Sequence, residues 1–422
     1  MNENLLQYLW NYRIFSSFDF RDVEGNEIEI LDFGKWNRNS GPDFLDAKIK
    51  TGNVILAGNI ELHVRSSDWI FHNHSNDKAF DNVILHAVYQ HDSDLEEFKS
   101  RAIPTLQLYD YINHSVLKKY GSLVSHYGFI PCEQIFDPKK VPFDFVNETL
   151  LKKLDEKSVE IENRLQKQRN DAEAVLFQQL AYAFGLKVNG EIFRNIAENI
   201  DFSVIRKISQ NQLQLEALFF GSAGWLENPA DEQTRIWKRE YDFLKLKYKL
   251  NENIFRPKFL RLRPPNFPTI RLSQLAHLYH REQNLFSKII SARNTSQLAD
   301  IFSGIKASGY WNRHFNFQKE TETAHEKTLT KDFVELILIN AVLPLKYTFG
   351  KYNCENTADE ISDFYQKIPA EKNTVTQNWK KLGVEMLSSA ESQAFIWHYK
   401  YSCEPKNCLN CSIGLKLLKD PS

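Results

Sequence analysis

The chain has 422 residues, enough for roughly two or three domains, and its 42% hydrophobic and 25% charged residues are typical of a globular protein. Lysine plus arginine (53) and aspartate plus glutamate (54) nearly cancel, so the net charge of −1 excludes a polycation that binds nucleic acid over its whole surface. Five cysteines are too few for a secreted disulfide scaffold, the first residues lack the pattern of a signal peptide, and no apolar run reaches the roughly 20 residues of a membrane span. We therefore expect a cytoplasmic protein with no membrane partner.

The first third of the chain opens with a short helix and continues with strands. Apolar residues at helical spacing predict the helix over residues 4–13. Between residues 27 and 109, alternating or β-rich runs predict five strands: EIEILDF, FLDAKIK, NVILAGNIELHV, NVILHAVY and IPTLQLY. The sequence KTGN at 50–53 lies between two of these runs and predicts a hairpin turn.

Beyond about residue 145 the pattern is helical. Residues 145–169 carry one apolar stripe among charges, and residues 172–185 end on a glycine suited to a helix C-terminus. We found no repeat of fixed period. The predicted fold class is therefore α+β, with a small mixed-sheet α/β domain over residues 1–140 and a larger, mostly helical domain over residues 141–422 that ends in a Cys-rich tail.

An acidic residue lies on each of two neighbouring predicted strands. Because side chains alternate along a strand, Glu61 and His63 point to the same face. If the strand that follows Asp43 pairs with the strand of Glu61, both carboxylates come close enough to bind Mg²⁺ or Mn²⁺, which prefer oxygen ligands. Such an ion would activate a water molecule for hydrolysis of a phosphate ester. The alternative is that all three residues are ordinary solvated strand or turn residues.

This arrangement resembles the PD-(D/E)XK nuclease superfamily, which places a Pro-Asp motif and a (D/E)-x-K motif on the second and third strands of a small sheet. Pro42-Asp43 matches the first motif, and Glu61-Leu62-His63 matches the second except at its last position. The resemblance implies metal ligation by Asp43 and Glu61, and a catalytic role for His63 in place of the lysine. The charge of that histidine would depend on pH.

Two further features bear on the resemblance. The superfamily implies that the opening helix supplies another acid, and Glu3 is the candidate here, with Gln7 one turn later. A helix between the third and fourth core strands is also expected in the superfamily. Residues 66–82 show no helical stripe and predict no more than a turn.

Histidines cluster after the acidic strand pair, with five of the twelve between residues 63 and 91. Such clustering is typical of a metal site or of a polar network around one. The candidates for metal ligation, or for contacts to the metal ligands, are His72, His74, Asp77 and His86. The alternative is that they are surface or strand residues satisfied by hydrogen bonds.

Three of the five cysteines lie within nine residues near the C-terminus, in the spacing Cys403-x4-Cys408-x2-Cys411. Thiolates at this spacing bind one metal centre, and a fourth ligand must come from elsewhere. Cys132 is the first choice for that ligand and Cys354 the second. Zn²⁺ and a [4Fe–4S] cluster both fit four cysteines. The trio resembles the cysteines by which some helicase-associated PD-(D/E)XK nucleases fasten their nuclease domain.

A basic segment lies in the helical half, over residues 253–281, and contains no acidic residue. Arginines interleaved with aromatic residues are typical of a surface that follows a phosphate backbone. The predicted nucleic-acid contacts are Arg256, Arg261, Arg263 and Arg271. The alternative is that these arginines pair with acids elsewhere in a nearly neutral protein.

Several segments together resemble an uncharacterised bacterial domain-of-unknown-function family over essentially the whole chain. These segments are NSGPDF, GNIELHVRSSDW, NVILHAVY, IPCE, EALFFGSAGWL, RLRPPNFPTIRLSQLA and CLNCSIG. The resemblance implies no activity.

The leading hypothesis is a metal-dependent nuclease that acts on DNA. The second is a non-catalytic nucleic-acid-binding or scaffold protein with a nuclease-like fold. The third is a hydrolase of another class whose metal is held by the group of His72, His74, Asp77 and His86.

Overall fold

The computed structural model describes residues 1–37, 40–112, 114–125, 127–317, 319–353 and 357–419. The chain divides into two compact units, which we call the sheet unit (residues 1–142 and 398–422) and the helical unit (residues 143–397). The fold class is α+β, as predicted. The predicted boundary near residue 140 requires one correction. The tail from residue 398 belongs to the sheet unit, because the helix Ser412–Lys419 packs on the helix His114–Ser125.

The described part of the sheet unit contains one sheet of seven strands, which includes all five predicted strands. The strands are β1 Phe20–Arg21, β2 Glu27–Asp32, β3 Lys35–Trp36, β4 Phe44–Thr51, β5 Val54–Arg65, β6 Val83–Gln90 and β7 Thr105–Gln107. Their order is β1-β2-β4-β5-β6-β7, and β3 pairs with β4. The pairs β2–β4 and β4–β5 are antiparallel, whereas the pairs β5–β6 and β6–β7 are parallel.

The helices of the sheet unit are α1 Glu3–Asn11, α2 Asp68–Phe71, α3 Glu96–Arg101, α4 His114–Ser125 and, in the tail, α18 Ser412–Lys419. Helix α1 begins where the Asn2 side chain accepts a hydrogen bond from Leu5 N–H. Its apolar stripe packs against β5 and buries Leu9 and Trp10 completely. The Trp10 indole also donates to Phe33 O over 3.0 Å. These contacts fix α1 and place its polar residues beside the sheet.

The predicted hairpin joins β4 to β5, with Gly52 in the left-handed region (φ 57°). The pairing of Phe44 with Ile60 brings the start of β4 next to the middle of β5. Gly58 is required where β6 begins, because a Cβ atom there would lie 2.4 Å from Asn82 O. The hairpin and this close approach set the register of the three strands that carry the site.

The connection from β5 to the parallel strand β6 contains only the four-residue α2 and two 3₁₀ turns, at His74–Asn76 and Lys78–Phe80. The connection therefore lacks a long helix, in agreement with the missing helical stripe in residues 66–82. Trp69 and Phe80 anchor this connection in a small core that also contains Phe98. The irregular segment is thereby held over one end of β5 and β6.

The helical unit contains thirteen helices in its described residues, of which the last ends at His398. They are α5 Phe145–Lys167, α6 Ala172–Asn199, α7 Phe202–Ile208, α8 Gln212–Ser222, α9 Glu232–Tyr248, α10 Pro268–Arg281, α11 Leu285–Ser291, α12 Thr295–Phe302, α13 Lys331–Ile337, α14 Leu343–Tyr352, α15 Thr357–Lys367, α16 Thr374–Lys381 and α17 Ser389–His398. The end predicted at Gly185 is a break inside α6, because Leu186 (φ 53°, ψ −164°) is not helical.

One helical stretch among the described residues, Lys331–Tyr352, is long and apolar enough by composition to cross a membrane. Of its most apolar window, 78% is buried inside the structure. This burial is typical of a core helix, and Phe333, Ile337 and Leu345 belong to the large apolar core of the helical unit.

Candidate functional site

Asp43 and Glu61, which we call the carboxylate pair, come together at the start of β4. The Asp43 N–H donates to Glu61 Oε2 over 3.0 Å. The Leu62 N–H donates to Asp43 Oδ2 over 3.1 Å, and Gln7 of α1 donates to Asp43 Oδ1 over 2.7 Å. Pairing between β4 and β5 thus brings together the two acids that the sequence singled out, and α1 orients one of them.

The carboxylate pair holds concentrated negative potential in a buried place. Burial raises the pKa of both carboxyl groups, and the Asp43 charge raises the pKa of Glu61 further. Glu3 of α1 is half-buried and raises the pKa of both acids electrostatically. Among the described residues, no lysine or arginine forms an ion pair with Asp43 or Glu61. Protons or a bound cation must therefore neutralise the pair.

The oxygens of the carboxylate pair fit a hard divalent cation. From the described residues each Asp43 oxygen accepts a single hydrogen bond, which leaves each a further lone pair. Within the described part of the chain, Glu61 Oε1 accepts no hydrogen bond and faces histidines instead. Two carboxylates with free lone pairs are ligands that Mg²⁺ and Mn²⁺ prefer.

His63, His72 and His74, which we call the histidine group, gather beside Glu61. One ring nitrogen from each of them lies within 4.8 Å of the other two. His63 Nε2 is 3.1 Å from His72 Nδ1. Glu61 Oε1 lies 3.7 Å from His63 Nε2 and 3.5 Å from His74 Nε2. Strand β5 therefore supplies both Glu61 and His63, while the irregular connection supplies the other two rings.

Aromatic rings of the small core pack against the histidines. His74 stacks on Phe80 with ring centroids 3.8 Å apart, and Trp69 meets the edges of His74 and His86 at 5.2 and 5.6 Å. These rings belong to the small core beneath the β5–β6 connection. The connection is irregular in backbone but well anchored, which explains how two histidines without regular secondary structure acquire defined positions.

The remaining candidates from the sequence have different positions. His86 on β6 is fully buried, and its Nε2 is 2.9 Å from His63 Nδ1. Burial and the neighbouring histidines lower the pKa of both His63 and His86, so both rings are neutral. Asp77 is exposed and accepts a hydrogen bond from Ala79 N–H at the start of a 3₁₀ turn. It acts on His74 only electrostatically.

Cys132, Cys403, Cys408 and Cys411, which we call the cysteine group, are buried free thiols in the sheet unit. Cys403 interacts electrostatically with the other three, so the distant Cys132 lies near the C-terminal trio. Burial raises the pKa of all four thiols. The Gly414 N–H donates to Cys411 Sγ over 3.2 Å. Four convergent sulfurs are a ligand set for zinc or an iron–sulfur cluster.

His398 is a neighbour of the cysteine group that the sequence analysis missed. Its Nε2 lies 3.4 Å from Cys411 Sγ, and the ring is buried. A histidine five residues before the first cysteine of the trio was the available signal. Cys354, the second choice for a fourth ligand, lies outside the described residues.

The basic segment of the helical unit is more varied than its sequence indicated. Arg271 requires a correction, because it is 5% exposed and stacks on the Phe333 ring at 3.4 Å, where no nucleic acid reaches it. Arg256 pairs with Glu227 over 3.0 Å. Arg261 and Arg263 lie at exposed positions around the 3₁₀ turn at 264–266.

Comparisons with known proteins add one finding. Residues 3–374 match the model of a family described as "Protein of unknown function (DUF2851)". A search of curated proteins and a search of solved structures each gave no match.

Proposed function

Because the chain belongs to the DUF2851 family, whose description names no activity, we propose its function from its own geometry: it is a metal-dependent nuclease of the PD-(D/E)XK type that hydrolyses phosphodiester bonds in DNA. One observation carries the proposal. Asp43 and Glu61 are buried side by side without a lysine or arginine partner in the described structure, an arrangement that is costly unless a cation binds there.

The order of elements around the site supports the proposal. Helix α1 is followed by the antiparallel strands β2, β4 and β5, then by the short α2 and the parallel strand β6. The acids lie at the start of the second of these strands and within the third, as the resemblance implies. The connection between β5 and β6 departs from it, since α2 has only four residues.

In this proposal, Asp43 and Glu61 hold Mg²⁺ or Mn²⁺. Gln7 and the Leu62 N–H keep the Asp43 carboxylate in position, and Glu3 adds a third carboxylate at the half-buried edge of the site. A bound ion would supply an activated water molecule and neutralise charge on the phosphate.

His63 differs from the lysine it replaces. Both of its ring nitrogens face other histidines, and a charge on this ring would be buried beside them. The residue therefore does not supply a fixed positive charge to the phosphate. In the proposal it acts as a neutral imidazole that donates a lone pair, and cations bound by the carboxylates supply the charge.

For DNA contacts, we propose the exposed Arg261 and Arg263, whose side chains form no ion pair within 4.0 Å in the described part of the chain. Their contribution is general attraction to phosphates, because arginines on a loop carry no sequence specificity by charge alone. We propose the cytoplasm as the place of action, where free thiols stay reduced.

For the cysteine group, we propose Zn²⁺ or a [4Fe–4S] cluster. No three sulfurs of the described cysteines lie within 4.8 Å of one another. Around one zinc ion, sulfurs at about 2.3 Å from the metal stand about 3.8 Å apart. In a cluster, each thiolate binds a different iron atom, so the sulfurs stand further apart than around one zinc ion.

The direct test is cleavage by the purified full-length chain. Linear duplex, nicked duplex and single-stranded DNA are incubated with Mn²⁺ or Mg²⁺, and the products are followed by gel electrophoresis. We expect cleavage that EDTA stops and that Asp43→Asn reduces at least about 100-fold.

Asp46→Asn is the matched control, because Asp46 is three residues further along, exposed, and paired with Lys35 on the surface. It should leave the rate unchanged. If the wild type binds DNA but cleaves none of the substrates with either ion, the scaffold hypothesis replaces the nuclease.

A further inference from the structure

We propose that the histidine group and Glu61 hold a second divalent ion, such as Zn²⁺ or Mn²⁺, in a mixed nitrogen and oxygen site beside the ion of the carboxylate pair. The use of this ion in phosphodiester hydrolysis rests on the proposed function, but its binding does not. The ligands would be His63, His72, His74 and Glu61.

The distances among the four donor atoms suit one ion. A ligand bond of about 2.1 Å gives neighbouring donors a separation of about 3.4 Å around a tetrahedral ion and about 3.0 Å around an octahedral one. His63 Nε2 is 3.1 Å from His72 Nδ1, and Glu61 Oε1 is 3.5 Å from His74 Nε2 and 3.7 Å from His63 Nε2. One ring nitrogen from each histidine lies within 4.8 Å of the other two, so side-chain rotations would bring the donors to a shared ion.

One of these donor atoms has no other partner. His74 Nε2 is buried and makes no hydrogen bond to any residue that the structure describes. Its 3.5 Å approach to Glu61 Oε1 is close, but it lacks hydrogen-bond geometry. A buried ring nitrogen without a partner is costly unless something binds it. A metal ion at the centre of the group would satisfy this atom and the unbonded Glu61 oxygen together.

The His86 ring, which contacts His63, supports the same assignment. His63 Nδ1 faces His86 Nε2 at 2.9 Å, so a proton on His63 Nδ1 leaves His63 Nε2 with a free lone pair for a metal. His86 would then carry its own proton on Nδ1. A ligating histidine whose second nitrogen is held by a buried hydrogen-bond partner is the usual arrangement at metal sites.

Glu61 connects the two metal positions because its two oxygens face different groups. Oε2 faces Asp43, whose N–H it accepts, whereas Oε1 faces His63 and His74. A carboxylate with this orientation can bridge two ions. Pairs of ions at about 3.5–4 Å stabilise both the attacking and the leaving oxygen in phosphoryl hydrolysis.

The competing explanation is a chain of neutral histidines joined by hydrogen bonds. One proton on each ring satisfies the contacts of His63 with His72 and His86 without an ion. This chain leaves His74 Nε2 unexplained, and it predicts that His72 and His74 do not affect metal binding. The two explanations therefore differ in a measurable quantity.

The test is a Mn²⁺ titration of the full-length chain, with free Mn²⁺ measured by electron paramagnetic resonance. Manganese is the probe because the thiolates of the cysteine group bind it poorly. We expect two ions per chain for the wild type. His72→Ala should lower the stoichiometry to one, or weaken the second site at least about 10-fold.

His74→Ala should have the same effect. His72 is exposed, so its substitution should leave the melting temperature unchanged. His91→Ala is the matched control, since His91 lies in the same unit and pairs with Asp94, and it should retain both ions.

Two ions per chain that persist in both histidine variants would overturn the proposal, as would a single site in the wild type that neither variant weakens. Two ions that depend on the histidines, in a protein that cleaves no DNA, would sustain this inference and reject the nuclease. DNA cleavage by a protein that binds one ion independently of the histidines would reject this inference and sustain the nuclease.

Discussion

The sheet unit and the helical unit both bury polar side chains, but they surround them differently. In the helical unit, Glu216 is 2% exposed and receives a hydrogen bond from Ser273. The nearby Ser308 hydroxyl and two tryptophan indoles lower its pKa, although their donor atoms make no hydrogen bond to the described residues. In the sheet unit, by contrast, a buried carboxylate faces another carboxylate, and a buried histidine faces other histidines.

Arg271 and Lys153 follow the pattern of the helical unit. The guanidinium of Arg271 donates to Asn266 and Gln274 and stacks on Phe333. The buried Lys153 ammonium donates to Gln393. These partners are acceptors that complement the two cations, although Arg271 Nε makes no hydrogen bond to the described residues.

The difference indicates which buried groups serve the fold and which serve a ligand. Complementary partners satisfy a buried polar group without anything from outside. Groups of one chemical kind repel one another or leave lone pairs unused, and proteins retain such arrangements where a ligand or a reaction needs them. By this criterion the carboxylate pair, the histidine group and the cysteine group are the functional candidates, and Glu216 and Arg271 are structural.

The largest effect should come from Glu61→Gln. We expect loss of metal-dependent cleavage by about 10³-fold or more, because the proposed bridging ligand is removed. The folded state should be as stable as the wild type or more stable, because glutamine ends the repulsion with Asp43 and keeps an acceptor for its N–H. Cleavage rates and urea unfolding measure the two effects. A clear loss of stability would make Glu61 a structural residue and break the comparison.

Cys411→Ser tests whether the cysteine group behaves like the other sets of like groups. We expect the purified chain to lose its iron and sulfide, or its zinc, and to melt at a lower temperature, because a metal bound only by the folded state stabilises it. Metal analysis, the visible spectrum and calorimetry measure these changes. Cys354→Ser should keep the metal. An unchanged metal content in Cys411→Ser would remove the cysteine group from the functional set.

Glu216→Gln tests the helical unit through the pH dependence of its stability. Burial raises the pKa of Glu216 from 4.5 to about 7, so its stabilising contribution is complete below pH 4.5 and is lost as the pH rises through 7. Relative to the wild type, the variant should gain up to about 3 kcal/mol of unfolding free energy between pH 4.5 and 8.5. Urea unfolding of both proteins at both pH values measures this. DNA cleavage should not change, and an equal difference at both pH values would refute the shifted pKa.

The smallest effect should come from the exposed arginines. The double variant Arg261→Ala/Arg263→Ala should weaken DNA binding about 10-fold at low salt and reduce the salt dependence by about two ions. Fluorescence anisotropy at several salt concentrations measures both quantities. Arg256→Ala is the control, because Arg256 is already paired with Glu227. Equal losses in the two proteins would remove the basic segment as a DNA contact.

Local patterns predicted much of the fold. The five strands, the KTGN hairpin and the helical character after residue 145 follow from periodicity and turn residues, which act over a few positions. The helix end predicted at Gly185 agrees with the kink at Leu186, beyond which a second helical segment begins. Arg271 was misjudged, because a basic sequence does not reveal which arginine faces the core.

The sequence by itself determined that Glu61 and His63 share a face of one strand and that a cysteine trio ends the chain, because both relations are local. Only the tertiary structure decided that Glu61 faces Asp43 with one oxygen and the histidines with the other. It also decided that Cys132 joins the trio, since these contacts link residues far apart in the chain. The physical reason is that strand alternation is set within a few residues, whereas ligand sets depend on how strands pair and how the tail packs.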